Sequence, residues 1–171
     1  MIRLANENDI LAIMEIINDA KILLKNNGLL QWNTDSYPNI ETIDLDIKLK
    51  RLYVYEENKL ILGCEVLMEK PDPNYEKIYD GNWLGENNYI SIHRIAVKAG
   101  HHGKKIGEKL IYFALEYAKK INFQSVRVDT HKDNLRMRKI LENSGFTKCG
   151  TIILLRTKID NLRIGYEKRV N

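Results

Sequence analysis

The sequence has few of the residues that mark secreted, metal-binding or membrane-spanning proteins. Its 171 residues include two cysteines, Cys64 and Cys149, and neither lies in a CxxC pattern. We therefore expect no metal site. Both thiols lie in apolar, strand-like segments, which favours burial in a reducing compartment. No secretory leader pattern and no membrane-length apolar run is present, so we expect a cytoplasmic protein.

Proline, repeats and one-sided charge are also scarce. The three prolines lie in two irregular stretches, and no repeat or low-complexity linker divides the chain. We therefore expect a single domain over residues 1–171. The formal net charge is +4, but acids and bases are mixed along the chain. The absence of a basic stripe with interleaved aromatics argues against a nucleic-acid partner. We expect no membrane partner either, and a homodimer is left open.

What is present is a clear alternation of helical and extended patterns. Apolar residues at helical spacing predict helices over 6–25, 40–50, 103–121 and 134–143. Alternating or β-branched runs predict strands over 1–5, 52–56, 59–68, 89–97, 124–129, 146–155 and 163–168. This order predicts an α/β (α+β) fold with a mixed sheet and helices on both faces. The crossovers from 89–97 to 124–129 and on to 146–155 should be right-handed.

The most informative segment is the turn between the strand over 89–97 and the long helix that follows. The first amides of a helix lack intrahelical partners and carry partial positive charge. Glycine in such a turn lets a phosphate approach the backbone, so the segment from Val97 to Gly107 can hold a diphosphate. It matches neither GxxxxGK[ST] nor GxGxxG. Alternatively, Gly103 and Gly107 serve only a tight turn and close packing.

Two motifs in this order resemble the GNAT superfamily of acetyl-CoA-dependent N-acyltransferases. Ile95-Ala96-Val97 followed by His102-Gly103-Lys104-Lys105-Ile106-Gly107 is similar to the family's strand end and central signature. The later segments 128–131, Asn134 and 141–146 are similar to its second half. The resemblance covers essentially the whole chain. It implies a mixed, mostly antiparallel sheet and transfer of an acetyl group from acetyl-CoA to a small-molecule primary amine by direct attack in a ternary complex.

The resemblance also implies which residues contact the cofactor. The backbone amide of Ile95 would polarise the thioester carbonyl, and Val97 would pair with the pantetheine arm. Asn134 would reach the pantetheine region, although a helix N-cap is an alternative and compatible role. The remaining implied cofactor contacts form the turn itself: His102, Gly103, Lys104, Lys105, Ile106 and Gly107.

Three departures from the family pattern bear on affinity and chemistry. His102 replaces a cation, and at neutral pH a histidine is mostly uncharged. Lys105 replaces a glycine, and its side chain would point away if the residue is already helical. Leu141 stands where many members have a tyrosine that protonates the leaving thiolate. We therefore expect the thiolate to leave unaided or to be protonated by water or another side chain.

The candidate base is His93. Period-two alternation predicts that Ser91, His93, Ile95 and Val97 share one strand face, which brings His93 near the thioester. Alternatively, His93 is only hydrogen-bonded within the sheet. Glu65 on the neighbouring strand is a second candidate, although charged strand residues usually face solvent. His131 lies just past a strand end, near the expected cofactor cleft, and capping the helix that starts near Asn134 is at least as good an interpretation. We expect Asp129 to serve the same turn.

The acceptor site is less defined. Exposed loop aromatics favour a pocket for an apolar or cationic group, and the candidates are Trp32, Tyr37, Tyr75 and Trp83. Alternatively, these aromatics pin long loops to the core. Asp35, Asp72 or Glu86 could pair with a substrate ammonium, and nothing selects one. Two other functions stay open: a non-catalytic acyl-CoA sensor, and an acetyltransferase for a protein N-terminus or lysine.

Overall fold

The computed structural model describes residues 1–33 and 36–170, and its element order is the predicted one. The helices are α1 Ile10–Asn26, α2 Ile40–Lys48, α3 Ile106–Lys120 and α4 Leu135–Asn143. The strands are β1 Ile2–Leu4, β2 Leu52–Glu57, β3 Leu60–Met68, β4 Tyr89–Val97, β5 Ser125–Thr130, β6 Thr147–Ile153 and β7 Leu162–Arg169. The mixed α/β fold class is confirmed. The starts of α1 and α3 differ most from the prediction, because they lie four and three residues later than expected.

The seven strands form one mostly antiparallel sheet in the order β1-β2-β3-β4-β5-β7-β6. β4 and β5 pair in parallel, whereas β1–β2, β2–β3, β5–β7 and β6–β7 pair in antiparallel fashion. The predicted crossover from β4 to β5 therefore joins neighbouring strands. The next one does not, because β7 occupies the edge of β5 and separates it from β6.

The chain forms two compact units, Met1–Leu67 with His93–Leu110, and Met68–Ile92 with Ile111–Asn171. The single domain over 1–171 stays a prediction. In the first unit α1 contacts α2, and each helix buries an isoleucine stripe. Arg3 on β1 donates to both carboxylate oxygens of Asp9, at 2.8 and 2.9 Å, and this pair ties β1 to the turn before α1.

Gly63 allows the first turn of α3 to lie very close to β3. A Cβ atom at this position would lie 3.0 Å from Ile106 Cγ2, 3.1 Å from the Ala96 carbonyl oxygen and 3.2 Å from Leu110 Cδ1. Ile106 and Leu110 are buried in a cluster with Tyr55 and Leu62, against which Ile95 and Val97 pack. The start of α3 is therefore fixed against the strands by apolar contacts that leave no room for a side chain on residue 63.

A buried charge network organises the second unit. Arg127 is 1% exposed, and its guanidinium lies 4.3 Å from the Trp83 ring centroid and 3.9 Å from that of Tyr89. Glu167, fully buried, accepts hydrogen bonds from Arg127 Nε at 3.1 Å and from the Leu84 amide at 2.6 Å. Because both charges are partnered, the network holds the segment before β4 against β5 and β7.

Both cysteines are unpaired and buried, which confirms that they act as small apolar residues of the core. No helix in residues 1–33 and 36–170 is long and apolar enough to cross a membrane.

We expect Gly63→Val to destabilise the protein by about 1–3 kcal/mol, because the added methyl groups meet a backbone carbonyl that cannot move away cheaply. Urea unfolding would measure this change. Gly85→Ala is the matched control, since a Cβ there would lie 3.6 Å from its nearest neighbour, Glu167 Oε1, which is an ordinary contact. Equal stability of Gly63→Val and wild type would contradict the close packing of α3.

Candidate functional site

The turn before α3 is built from residues in the left-handed region. Gly100, Gly103 and Lys105 have φ values of 76°, 84° and 58°. A right-handed helix cannot continue through such residues, so α3 begins at Ile106. The predicted start at Gly103 is wrong for this reason. The premise that Lys105 is already helical is also wrong: it is the residue before the helix, and its carbonyl accepts the first hydrogen bond from Lys109 N at 3.0 Å.

The surface of this turn suits an anion. A Cβ at Gly103 would have no protein atom within 4 Å, so the backbone there is open to an approaching group. Four consecutive residues, His102 to Lys105, are exposed, whereas Ile106 is only 3% exposed and anchors the helix. The Lys104 ammonium lies 3.3 Å from His101 Nδ1. Helix-terminal amides, two lysines and an open glycine are the donor set that a diphosphate needs.

β4 does not keep the regular alternation predicted for it. Arg94 has a φ of 50°, in the middle of the strand. A left-handed residue in a strand interrupts the period of two, so alternation alone no longer places His93 and Ile95 on one face, and that placement stays a prediction. Ile95 and Val97 pack on the cluster that contains Ile106 and Leu110, which places this end of β4 beside the start of α3.

The two candidate bases lie in different surroundings. His93 is half-buried on β4, directly before the left-handed Arg94. Glu65 on β3 is fully buried, and neither carboxyl oxygen has a hydrogen-bond partner, so the expectation that it faces solvent is wrong. Burial raises the pKa of Glu65 well above its usual range. Glu65 adjoins Cys64, whose Sγ lies 3.8 Å from the Arg94 carbonyl oxygen, so β3 runs beside this part of β4.

The residues near α4 take mostly structural positions. Asn134 Oδ1 accepts a hydrogen bond from the Met137 amide at 3.2 Å, which makes Asn134 the N-cap of the helix. Its contact with the cofactor stays a prediction. Leu141 is fully buried and brings no ionisable hydroxyl to this helix.

His131, directly after β5, and Asp129, within β5, both make hydrogen bonds inside the protein. His131 Nε2 lies 2.8 Å from Asp160 Oδ1, and its Nδ1 accepts a hydrogen bond from the Asp133 amide. Asp129 accepts a hydrogen bond from the Tyr75 hydroxyl at 2.7 Å. The contacts of His131 agree with a role in the turn, whereas Asp129 bonds Tyr75 in the segment before β4 instead.

The four predicted acceptor aromatics do not form one exposed set. Tyr75 is 2% exposed, so its expected exposure is wrong, and its ring lies 5.4 Å from that of Trp83. Trp83 Nε1 donates to the Tyr75 carbonyl oxygen, so both residues pin their loop to the core. Trp32 and Tyr37, by contrast, lie half-buried in the segment between α1 and α2.

The acidic candidates for the acceptor ammonium also differ from one another. Asp72 is 6% exposed, and its Oδ1 accepts a hydrogen bond from the Asn74 amide at 2.8 Å. Glu86 is exposed. Asp35 lies outside the described residues. Among the residues that are described, no group of three or more His, Cys, Asp or Glu side chains is arranged to hold a metal ion.

An ion pair that the sequence analysis missed lies beside His93. Asp46 on α2 is fully buried and accepts from Arg94 Nε at 2.7 Å and Nη2 at 2.9 Å. Arg51 Nε also donates to Asp46, at 2.8 Å, and Arg94 Nη1 donates to the Tyr37 hydroxyl. A signal was present, because Asp46 falls within the apolar stripe of α2 and Arg94 interrupts an apolar strand. Buried charges at such positions need partners.

The comparisons with known proteins agree with this geometry. The model of the acetyltransferase (GNAT) family matches residues 11–146. A GNAT-family acetyltransferase from Streptococcus agalactiae superposes with a TM-score of 0.90 at 30% identity, covering 99% of this chain and 94% of that one. The Salmonella typhimurium protein yncA, solved with its cofactor acetyl-CoA, superposes with a TM-score of 0.68 at 19% identity, covering 100% and 94%. No curated protein matches the chain.

A mixed sheet of this order, with an open turn before the long helix, is the fold of the acetyltransferases on which the chain superposes. The chain belongs to the GNAT family of acetyltransferases, and acetyl-CoA is its cosubstrate. The ribosomal-protein-alanine N-acetyltransferase of Brucella melitensis has the same fold, with a TM-score of 0.74 at 18% identity over 99% of both chains.

The left-handed backbone at Lys105 gives a stability prediction. We expect Lys105→Gly to be more stable than Lys105→Ala by about 1 kcal/mol, because a left-handed conformation costs a residue with a Cβ about 1–2 kcal/mol. Urea unfolding of the two variants measures the difference. In the control pair at Lys104, which is not left-handed, glycine should be no better than alanine. A Lys105→Ala protein as stable as Lys105→Gly would contradict the assignment.

Proposed function

We propose that this protein transfers an acetyl group from acetyl-CoA to the primary amine of a small molecule by direct attack in a ternary complex. The observation that carries the proposal is the open turn at Gly103. This turn lies beside the end of β4 that follows the left-handed residue Arg94. One element supplies donors for a diphosphate, and the other supplies a strand amide close to it. The two free cysteines support a reducing compartment, and we place the reaction in the cytoplasm.

The turn would hold the cofactor through its backbone. The amides of Gly103 and of the first turn of α3 would bind the diphosphate, with Lys104 and Lys105 adding positive charge. Val97 would pair with the pantetheine arm. Lys105 has the left-handed φ that a glycine adopts easily. The backbone of the turn can therefore follow the same course as in family members that have glycine here. His102 would add a hydrogen bond rather than a fixed charge, so affinity should depend mainly on backbone donors.

The chemistry needs a free amine and a polarised carbonyl. An alkylamine with a pKa near ~10.4 is unprotonated in only about one molecule in 10³ at pH 7, so a base is valuable. We assign that base to His93, because histidine is the side chain that most often serves as a general base. The amide of Ile95 would stabilise the developing oxyanion. The amine nitrogen forms the new C–N bond, its proton passes to His93, and the C–S bond breaks with its electron pair on sulfur.

The thiolate would leave without a tyrosine acid. Leu141 occupies the relevant place in α4, and it is fully buried. The nearby Tyr166 hydroxyl is committed to Arg138 and Glu142, at 3.1 and 2.9 Å. A thiol is far more acidic than an amine, so the electron pair leaves on sulfur in preference to nitrogen. Water can then protonate the thiolate.

Release of CoA thiol from acetyl-CoA across a panel of amines tests the proposal. The panel holds polyamines, amino sugars and amino acids, with peptides bearing a free N-terminus or a lysine as a separate arm. We expect at least one small amine to raise the rate about 100-fold or more above hydrolysis. Stimulation by peptides alone would favour a protein substrate. Binding of acetyl-CoA with no stimulation by any amine would favour a sensor and overturn the proposal.

The same assay assigns the base. We expect His93→Gln to lower kcat by about 10²- to 10⁴-fold at pH 7, with a nearly unchanged KM for acetyl-CoA. The loss should shrink at high pH, where more of the amine is already unprotonated. Glu65→Gln is the matched control because Glu65 is the other candidate. Normal kcat in His93→Gln, or a comparable loss in Glu65→Gln alone, would remove His93 as the base.

A further inference from the structure

The left-handed residue of β4 also has a side chain that is held by several contacts. Arg94 has a φ of 50°, which is uncommon for a residue with a long side chain. Its guanidinium is 8% exposed and meets both oxygens of Asp46, at 2.7 and 2.9 Å. A bidentate, buried arginine–carboxylate pair fixes position and orientation together. The strained backbone and the strong side-chain contact therefore occur at one residue.

Asp46 is itself held from a second direction. Arg51, just before β2, donates to its Oδ1 at 2.8 Å, so the carboxylate is positioned independently of β4. The Tyr37 hydroxyl accepts a hydrogen bond from Arg94 Nη1, and the guanidinium lies 5.9 Å from the Tyr37 ring centroid. Arg94 is thus connected both to α2 and to the segment between α1 and α2. We call Arg94, Asp46 and Tyr37 the arginine clamp.

The position of the clamp in the sequence gives it a consequence for chemistry. Arg94 lies between His93 and Ile95, and a strand break of this type re-aims the peptide units next to it. A regular strand would point the Ile95 amide along the ladder direction, toward a neighbouring strand. Because the left-handed conformation is unfavourable by itself, it persists only where surrounding contacts impose it. The clamp is the contact set that imposes it here.

We propose that Arg94 is a positioning residue for acetyl transfer, held by Asp46 so that the Ile95 amide and His93 face the thioester. The inference rests on the proposed function. It also links the segment between α1 and α2 to the chemistry through Tyr37. A purely structural ion pair would lower stability when broken, but it would leave the turnover of the folded protein unchanged. A positioning role and a purely structural role therefore predict different kcat values and different responses of the Ile95 amide to acetyl-CoA.

The test compares Asp46→Asn with Asp9→Asn. Both variants remove the carboxylate of a two-point arginine pair in the same unit, and Asp9→Asn breaks the pair with Arg3 on β1. At a temperature where each variant is folded, we expect Asp46→Asn to lower kcat about 10- to 100-fold with an unchanged KM for acetyl-CoA. Asp9→Asn should keep kcat. Equal kcat in Asp46→Asn and wild type, or an equal loss in both variants, would overturn the proposal.

A second readout does not need turnover. In wild type and Asp9→Asn, adding acetyl-CoA should shift the Ile95 amide resonance, and in Asp46→Asn that shift should be lost while the Gly103 amide still responds. If wild type binds acetyl-CoA but acetylates no amine, the proposed function fails. The Ile95 shift still tests whether the clamp positions this amide. Arg94→Lys keeps the charge but loses the two-point contact, and it replaces Asp46→Asn if that variant does not fold. An unchanged Ile95 shift, or unfolding of both clamp variants, would overturn the proposal.

Discussion

The close approach of α3 to β3 at Gly63 is the constraint on which the candidate site depends. The helix start packs against the strand through Ile106 and Leu110, and the Ala96 carbonyl closes the remaining space. A helix moved outward by one side chain would carry its first amides away from the end of β4. Apolar packing therefore fixes the position of the first amides of α3, which are the donors that the proposed diphosphate site needs. Gly63 therefore supports the candidate site by leaving space for α3, although it does not belong to the site itself.

Two residues with long side chains adopt left-handed backbone conformations beside this contact. Lys105 ends the turn, and Arg94 breaks β4. Each conformation costs about 1–2 kcal/mol for a residue with a Cβ. The cost at Arg94 is offset by a buried ion pair with Asp46, whereas the exposed Lys105 has only the glycine-containing turn around it. Strain that is retained next to a binding turn is typical of functional sites.

The element order and most boundaries could be predicted because apolar periodicity reports directly on helices and strands. The start of α3 could not, because the polar residues before Ile106 carry no apolar periodicity and the sign of φ at Lys105 leaves no mark in a hydrophobic pattern. Tyr75 was expected to be exposed because its loop is polar, and its burial depends on a hydroxyl partner, Asp129, from another element. Glu65, which was also expected to be exposed, is buried in a different way. A charge in a strand usually faces solvent, but this one is buried without a partner.

The central claim is that the backbone of the turn at Gly103 binds the diphosphate of CoA. The most direct measurement is an amide chemical-shift titration of the protein with CoA and, separately, with pantetheine, which has no phosphate. The account predicts that CoA produces its largest shifts at Gly103, Ile106 and Gly107, and that pantetheine leaves those amides unchanged at any occupancy of its own site. Equal shifts at these amides with pantetheine, or none with saturating CoA, would contradict it.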